Sequence, residues 1–241
     1  MHDILTTYGF LILCCLSVIE IILTLILYAD FSKKKDPVII LMALLGTGLC
    51  FDAVTLAAGA HIMIPILSVL SRGRFILHGL LIPLNFTICA YAAPFYKPAR
   101  IATWILTVPL ILAGGAAGYM RELDKVVLNE GFYNEIVRYV SISPDDSWME
   151  RVNMGLSMGC IIPVILTGIY ITFKHKSPTI LLAGLFMLGF SILGPVLGYN
   201  DLIFLISMFG EMFMLLFYTI FEKRHISVMY DYSDLTLGSI R

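Results

Sequence analysis

Residues 61–95 read HIMIPILSVLSRGRFILHGLLIPLNFTICAYAAPF, an almost wholly apolar stretch that carries Arg72, Arg74 and His78. As one α-helix it would be about 50 Å long at 1.5 Å per residue, whereas the hydrocarbon core of a bilayer is roughly 30 Å thick. It is therefore either one long tilted span with cations at membrane depth, or a span preceded by a surface or re-entrant piece over residues 62–70. The second alternative leaves Arg72 and Arg74 at the interface. We expect the single long span, with Arg74 and His78 facing a helix bundle.

The composition of the whole chain indicates a polytopic membrane protein. Of its 241 residues, 59% are hydrophobic and 14% are charged, and the mean hydropathy is +0.90. A soluble domain is about half apolar and about a quarter charged, so this excess of apolar side chains needs the lipid bilayer as a partner. The formal charge of −1 lacks the basic footprint of nucleic-acid binding, and we expect no nucleic-acid partner.

Seven apolar segments are long enough to cross a bilayer. They are predicted to be helices, because every backbone group at membrane depth needs a hydrogen-bond partner within the protein. The predicted fold is all-α, with one seven-helix domain over residues 1–221 and a C-terminal tail over 222–241. The predicted spans are 8–28, 38–59, 62–94, 99–119, 151–173, 178–198 and 202–221.

The loops predict an orientation, since cytoplasmic loops are enriched in lysine and arginine. The first, third and fifth connections and the tail carry most of the basic residues, so we expect these on the cytoplasmic side and the N-terminus outside. These residues are Lys33, Lys34, Lys35, Lys97, Arg100, Lys174, Lys176, Lys223, Arg224 and Arg241.

The loop over residues 120–150 lies on the opposite side in this topology. Within it, Phe132, Ile136, Val137 and Val140 recur at a helical spacing. This pattern is typical of a short amphipathic helix at the membrane surface. A lid over an outward-facing cavity is the alternative interpretation.

An internal repeat is a further prediction. Residues 33–41 (KKKDPVIIL) match residues 174–182 (KHKSPTILL), which would place three helices on each side of a linking fourth, as a parallel 3+1+3 repeat. Similar loop chemistry in unrelated helices would give the same match. The size and pattern are similar to those of sugar-efflux and PQ-loop transporters, but the proline-glutamine motif is absent, so this resemblance is architectural only.

Polar side chains inside the predicted spans indicate a site, because ionisable groups at membrane depth are costly and usually functional. The acids there nearly balance the cations, which favours one buried cluster. The predicted substrate- or proton-binding residues are Glu20, Asp52, Arg72, Arg74, His78, Asn85 and Glu211. The alternative is an ion-pair network that only orders the helices. His78 could equally be a core histidine bonded to a carbonyl oxygen.

Three functions agree with such a cluster. The first is a transporter or binder of a small polar or ionic solute, with the carboxylates available to couple transport to protons. The second is a membrane-embedded enzyme that acts on a lipid or isoprenoid through the buried carboxylates, although no catalytic residue can be assigned. The third is a seven-helix sensor or receptor. The histidines form no pair or HExxH pattern, and we expect no metal or cofactor. The sequence gives no oligomeric state.

Overall fold

The computed structural model describes residues 2–93, 97–128 and 135–237, except for the side chains of 97, 99 and 225–237. The helices are α1 (His2–Lys34), α2 (Pro37–Ala58), α3 (Ile64–Leu81), α4 (Leu84–Ala92), α5 (Lys97–Met120), α6 (Trp148–Gly159), α7 (Ile161–His175), α8 (Thr179–Val196) and α9 (Ile203–Leu237). Two strands, β1 (Leu123–Leu128) and β2 (Ile136–Ser141), lie between α5 and α6, and a 3-10 turn (Asn200–Leu202) precedes α9.

Seven helical units of the described chain are long and apolar enough to cross a membrane, which confirms the predicted seven-helix fold. Helices α3 and α4 together form the third unit (Ile64–Ala92), and α6 and α7 form the fifth (Trp148–His175). The other five units each consist of one helix or part of one. The last helix, α9, continues without a break past residue 221 to Leu237.

Two of the units are interrupted at a proline. Helix α3 ends at Leu81 and α4 begins after Pro83, whereas α6 ends at Gly159, four residues before Pro163. Proline has no N–H to donate to the carbonyl four residues earlier, and its ring crowds that carbonyl. The stretch that was expected to be one long helix is therefore one span with a break, and it begins at Ile64.

The helices follow one another around a closed ring in sequence order. Each span packs against the next, and α9 returns to pack against α1 and α2. This order neither requires nor excludes an internal duplication, and the 3+1+3 repeat stays a prediction.

The prediction of an interfacial helix in the loop over residues 120–150 is wrong for the residues that the structure describes. Ile136–Ser141 is a strand that pairs antiparallel with Leu123–Leu128, with Ile136 opposite Leu128. Ile, Val and Tyr dominate residues 136–140, and such side chains favour the extended conformation. Phe132, which contributed to the helical pattern, lies outside the described residues.

The hairpin is fixed closely to the bundle. Ile136 packs into an apolar cluster with Leu13 and Leu205, and the end of α2 passes directly beneath β2. A Cβ atom on Gly59 would lie 1.9 Å from the carbonyl oxygen of Val137, so this approach requires glycine. We call this end of the bundle the hairpin end, and the opposite end, where α1 finishes at Lys34, the tail end.

The tail half of the bundle is filled by a large apolar core. Leu27, Met42, Ile171, Tyr218 and Phe221 are among its buried members. The charged side chains that line the cavity lie in the other half, between this core and the hairpin.

Candidate functional site

A cavity of about 440 Å³ lies inside the helix ring. At the hairpin end its wall includes Arg121, Arg138 and Asn200, and at mid-depth it includes Asp52 and Glu211. The cavity thus extends from the hairpin end to the middle of the bundle.

Asn85 lines the floor of the cavity. The hydroxyl group of Tyr218 donates a 2.7 Å hydrogen bond to Asn85 Oδ1, and both residues are buried. Because Tyr218 belongs to the apolar core, this hydrogen bond joins the floor of the cavity to the packed tail half.

A buried ion pair occupies one side of the cavity. Asp52 and Arg74 face each other from α2 and α3, and Arg74 Nε lies 3.0 Å from Asp52 Oδ1. His78, one turn after Arg74, places its Nδ1 atom 3.8 Å from Asp52 Oδ2. Residues four apart share one face of a helix, which is why Arg74 and His78 reach the same carboxylate.

Glu211 of α9 completes this layer. One ligand atom each of Asp52, His78 and Glu211 lies within 4.8 Å of the others. Glu211 is 4% exposed, and its Oε2 atom is buried without a hydrogen-bond partner among the described residues. All three belong to the predicted substrate- or proton-binding residues, but no histidine pair or HExxH pattern marked them as ligands of a metal.

Glu20 lies behind the layer and does not line the cavity. Its side chain is 0% exposed, and neither carboxylate oxygen has a hydrogen-bond partner in the described part of the chain. It interacts electrostatically with Asp52 and Glu211. Three buried acids therefore share one region of the bundle.

Arg72, like Glu20, does not line the cavity. Its Nη1 atom donates hydrogen bonds to the backbone carbonyls of Tyr119 and Arg121 at the end of α5. Carbonyl groups at a helix C-terminus lack partners within the helix and attract cations. Arg72 therefore caps α5, although Arg74, two residues later, faces the cavity.

Arg121, which the sequence analysis did not select, lines the cavity beside the hairpin. Its Nη2 atom lies 2.9 Å from Glu150 Oε2, and the hydroxyl group of Ser141 also donates to Glu150. Ser147 caps α6 by accepting a hydrogen bond from the Glu150 backbone N–H. Burial lowers the pKa of Arg121, and the negative charge of Glu150 offsets part of this effect.

Arg138 is the second cation that the sequence analysis missed. It projects from β2, and its guanidinium group lies 4.0 Å from the centre of the Phe204 ring. Burial lowers the pKa of Arg138 to about 10, with a further lowering from the positive charge of Arg74 and a partial offset from Asp201. Arg138 is thus charged at neutral pH. No loop motif marked it, because its position follows from the pairing of two strands.

Arg74 repels each of the other two arginines of the cavity wall, Arg121 and Arg138. The charge of Arg74 lowers the pKa of both Arg121 and Arg138. Glu150 pairs with Arg121 and Asp52 pairs with Arg74, but Arg138 has no carboxylate within ion-pair distance in the described part of the chain. The wall near the hairpin is therefore electrostatically suited to an anionic group.

A comparison with models of known protein families found no match, and a comparison with curated proteins also found none. The seven spans define a multi-pass membrane protein, and its functional assignment depends on the cavity.

Proposed function

We propose that the protein binds a small solute that carries an anionic group, and that this solute enters the cavity from the hairpin end. The observation that carries the proposal is the set of three arginines on the wall of one cavity, of which Arg74 and Arg121 are buried and Arg138 is half-buried. A bound anion would reduce the repulsion between their charges.

The arginines have hydrogen-bond donors available for such a ligand. Arg74 Nη1, Arg121 Nε and Arg138 Nε are buried and have no acceptor among the described residues. Buried polar atoms nearly always have a partner, so each exception needs an explanation. A carboxylate or phosphate group is the ligand that the planar guanidinium group recognises best.

The cavity has the size and chemistry of a small-molecule site. Its volume of about 440 Å³ falls within the range of roughly 300–1,000 Å³ that is typical of ligand pockets. The acids Asp52 and Glu211 lie deeper in the cavity than Arg138, which also favours a zwitterion with its anionic group towards the hairpin.

The loop charges support an entry route. Lys33, Lys34 and Lys35 lie at the tail end, and the positive-inside rule places such basic connections in the cytoplasm. In this orientation the hairpin end is outside, and the solute comes from outside the cell or compartment.

Binding could serve transport, and proton-coupled transport agrees with the buried carboxylates. A second candidate, detection of the solute by a sensor or receptor, is favoured by one observation. Helix α9 carries Glu211 at the cavity and continues to Leu237 at the tail end, so a shift of α9 on binding would be transmitted along its length. The enzyme hypothesis stays a prediction.

The test is a ligand panel on the purified full chain in detergent. Thermal unfolding is measured with small carboxylates, phosphates, zwitterions and, as the comparison, organic cations of similar size. The proposal expects a saturable rise in melting temperature with at least one anionic or zwitterionic solute. Stabilisation by cations alone would contradict it. Flux of the stabilising solute into proteoliposomes then distinguishes transport from detection.

A further inference from the structure

The layer at mid-depth of the cavity has the composition of a metal site. Asp52, His78 and Glu211 come from α2, α3 and α9, and they bring one imidazole nitrogen and two carboxylate oxygens within 4.8 Å of one another. These groups are buried or half-buried at the cavity wall. Glu211 Oε2 has no hydrogen-bond partner among the described residues, although only 4% of Glu211 is exposed.

The acids of this region outnumber its cations. Three carboxylates, of Asp52 and Glu211 in the layer and of Glu20 behind it, lie in the same region as one guanidinium group, of Arg74. If all were ionised, three negative charges and one positive charge would leave a net charge of −2. Arg121 also lies near this layer, but Glu150 pairs with it. Because uncompensated buried charge is costly, all three acids can be ionised together only with a counter-charge, which a bound dication would supply.

We propose that Asp52, His78 and Glu211 bind a divalent transition-metal cation, Zn²⁺ or Mn²⁺. An imidazole with two carboxylates suits these ions better than Mg²⁺ or Ca²⁺, which prefer oxygen ligands alone. Arg74 acts as a positioning residue, since its ion pair with Asp52 Oδ1 leaves Asp52 Oδ2 directed towards His78.

The ligand atoms must approach one another slightly when the ion binds. Ligand-to-zinc distances are about 2.0–2.2 Å for nitrogen and oxygen, so the three atoms would move to about 3–3.5 Å apart at tetrahedral angles. Side-chain rotation at the edge of an open cavity can supply this movement. The three ligands line the cavity, so water in the cavity would complete the coordination shell.

This inference goes beyond the proposed solute site and does not depend on it. The metal ligands lie at mid-depth next to Arg74, whereas the other two arginines of the anion site, Arg121 and Arg138, lie beside the hairpin. Metal binding can be measured without any solute, and solute binding can be measured in the presence of a chelator. Failure of one proposal is therefore distinguishable from failure of the other.

The test uses the purified full chain in detergent, stripped with a chelator and then titrated with Zn²⁺, Mn²⁺ or Mg²⁺. Dialysis followed by elemental analysis gives the bound metal, and circular dichroism verifies the fold of each variant. We expect about one equivalent of Zn²⁺ or Mn²⁺ in the wild type. Since even loss of a residue that supports a ligand costs about 10- to 100-fold in affinity, Glu211→Gln and His78→Gln should each weaken binding at least about 10-fold.

The control is Glu122→Gln, the same change at an exposed acid in the loop, which should leave the affinity unchanged. If both ligand variants fail to fold, X-ray absorption at the zinc edge of the wild type still decides, because the proposal requires one imidazole with oxygen ligands. Equal binding by all three variants would mean adventitious surface metal only and would overturn the proposal. If the wild type binds no metal at about 1 mM, its dissociation constant is weaker than about 1 mM. This result would also overturn the proposal.

Discussion

Arg74 and Asp52 form a buried ion pair that joins α3 to α2 in the wall of the cavity, with 3.0 Å between Nε and Oδ1. The pair explains how an arginine can lie in the interior of the third span, since its charge is compensated locally.

Removal of one partner from this pair should destabilise the protein strongly. Loss of one member of a buried pair costs about 3–5 kcal/mol, because the other charge stays buried alone. Arg74→Gln and Asp52→Asn should therefore each lower the unfolding free energy in detergent by an amount of this order. The double variant should lose clearly less than the sum of the two, and additive losses would show that the pair is not coupled.

The packing of α3 against α5 should depend on glycine. A Cβ atom on Gly79 would lie 2.1 Å from the carbonyl oxygen of Gly114, so Gly79→Ala must push the two helices apart. Overpacking of this kind costs about 1–3 kcal/mol. The matched control is Gly189→Ala, where the new Cβ would meet nothing within 4 Å. Thermal unfolding of the two variants checks this, and equal stability would show that α3 and α5 are not in such close contact.

Tyr218→Phe should weaken the floor of the cavity. The change removes the hydroxyl group that donates to Asn85 Oδ1, and a buried acceptor left without a partner costs about 1–3 kcal/mol. Tyr28→Phe is the control, because the hydroxyl group of Tyr28 bonds to Thr47 at an exposed position. The melting temperature should fall further for Tyr218→Phe than for Tyr28→Phe. The reverse order would contradict a buried hydrogen bond between Tyr218 and Asn85 at the floor of the cavity.

A cysteine in the cavity should react with a reagent from outside the membrane. Ser157 lines the cavity, so Ser157→Cys, in a background without the five native cysteines, should be modified in intact cells by a membrane-impermeant methanethiosulfonate with a sulfonate group. Ser32→Cys, exposed near the end of α1 at the tail end, should react only after lysis. The opposite result would invert the proposed orientation and place the entrance in the cytoplasm.

Much of the fold follows from physical constraints that are visible in the sequence. Spans are recognised from apolar length, and the proximity of Asp52, Arg74 and Glu211 follows because charges at membrane depth must find one another. Helical spacing also placed His78 on the face of Arg74. These constraints are local or nearly so, which is why the sequence alone could identify these residues.

The rest depends on contacts between distant segments. Arg72 was assigned to the cluster, but the end of α5 lies close enough to α3 to bind its guanidinium group. The sequence predicts a helix where the structure has the strand Ile136–Ser141. Ile136, Val137 and Val140 recur at a helical spacing, but such side chains also favour strands, and only the pairing with β1 decides between the two. Arg138 reaches the cavity because of that pairing, and therefore could not be selected in advance.

The central claim is that the cavity binds an anionic group through the arginines near the hairpin. Its most direct test is the equilibrium affinity of the solute that stabilises the wild type best, measured on wild type, Arg138→Gln and Arg151→Gln in the same detergent. Arg151 is exposed on α6 and serves as the matched control. Because a charge-assisted hydrogen bond contributes about 1.5–3 kcal/mol, we predict at least about 10-fold weaker binding for Arg138→Gln and unchanged binding for Arg151→Gln. Equal affinity in all three proteins would contradict the claim.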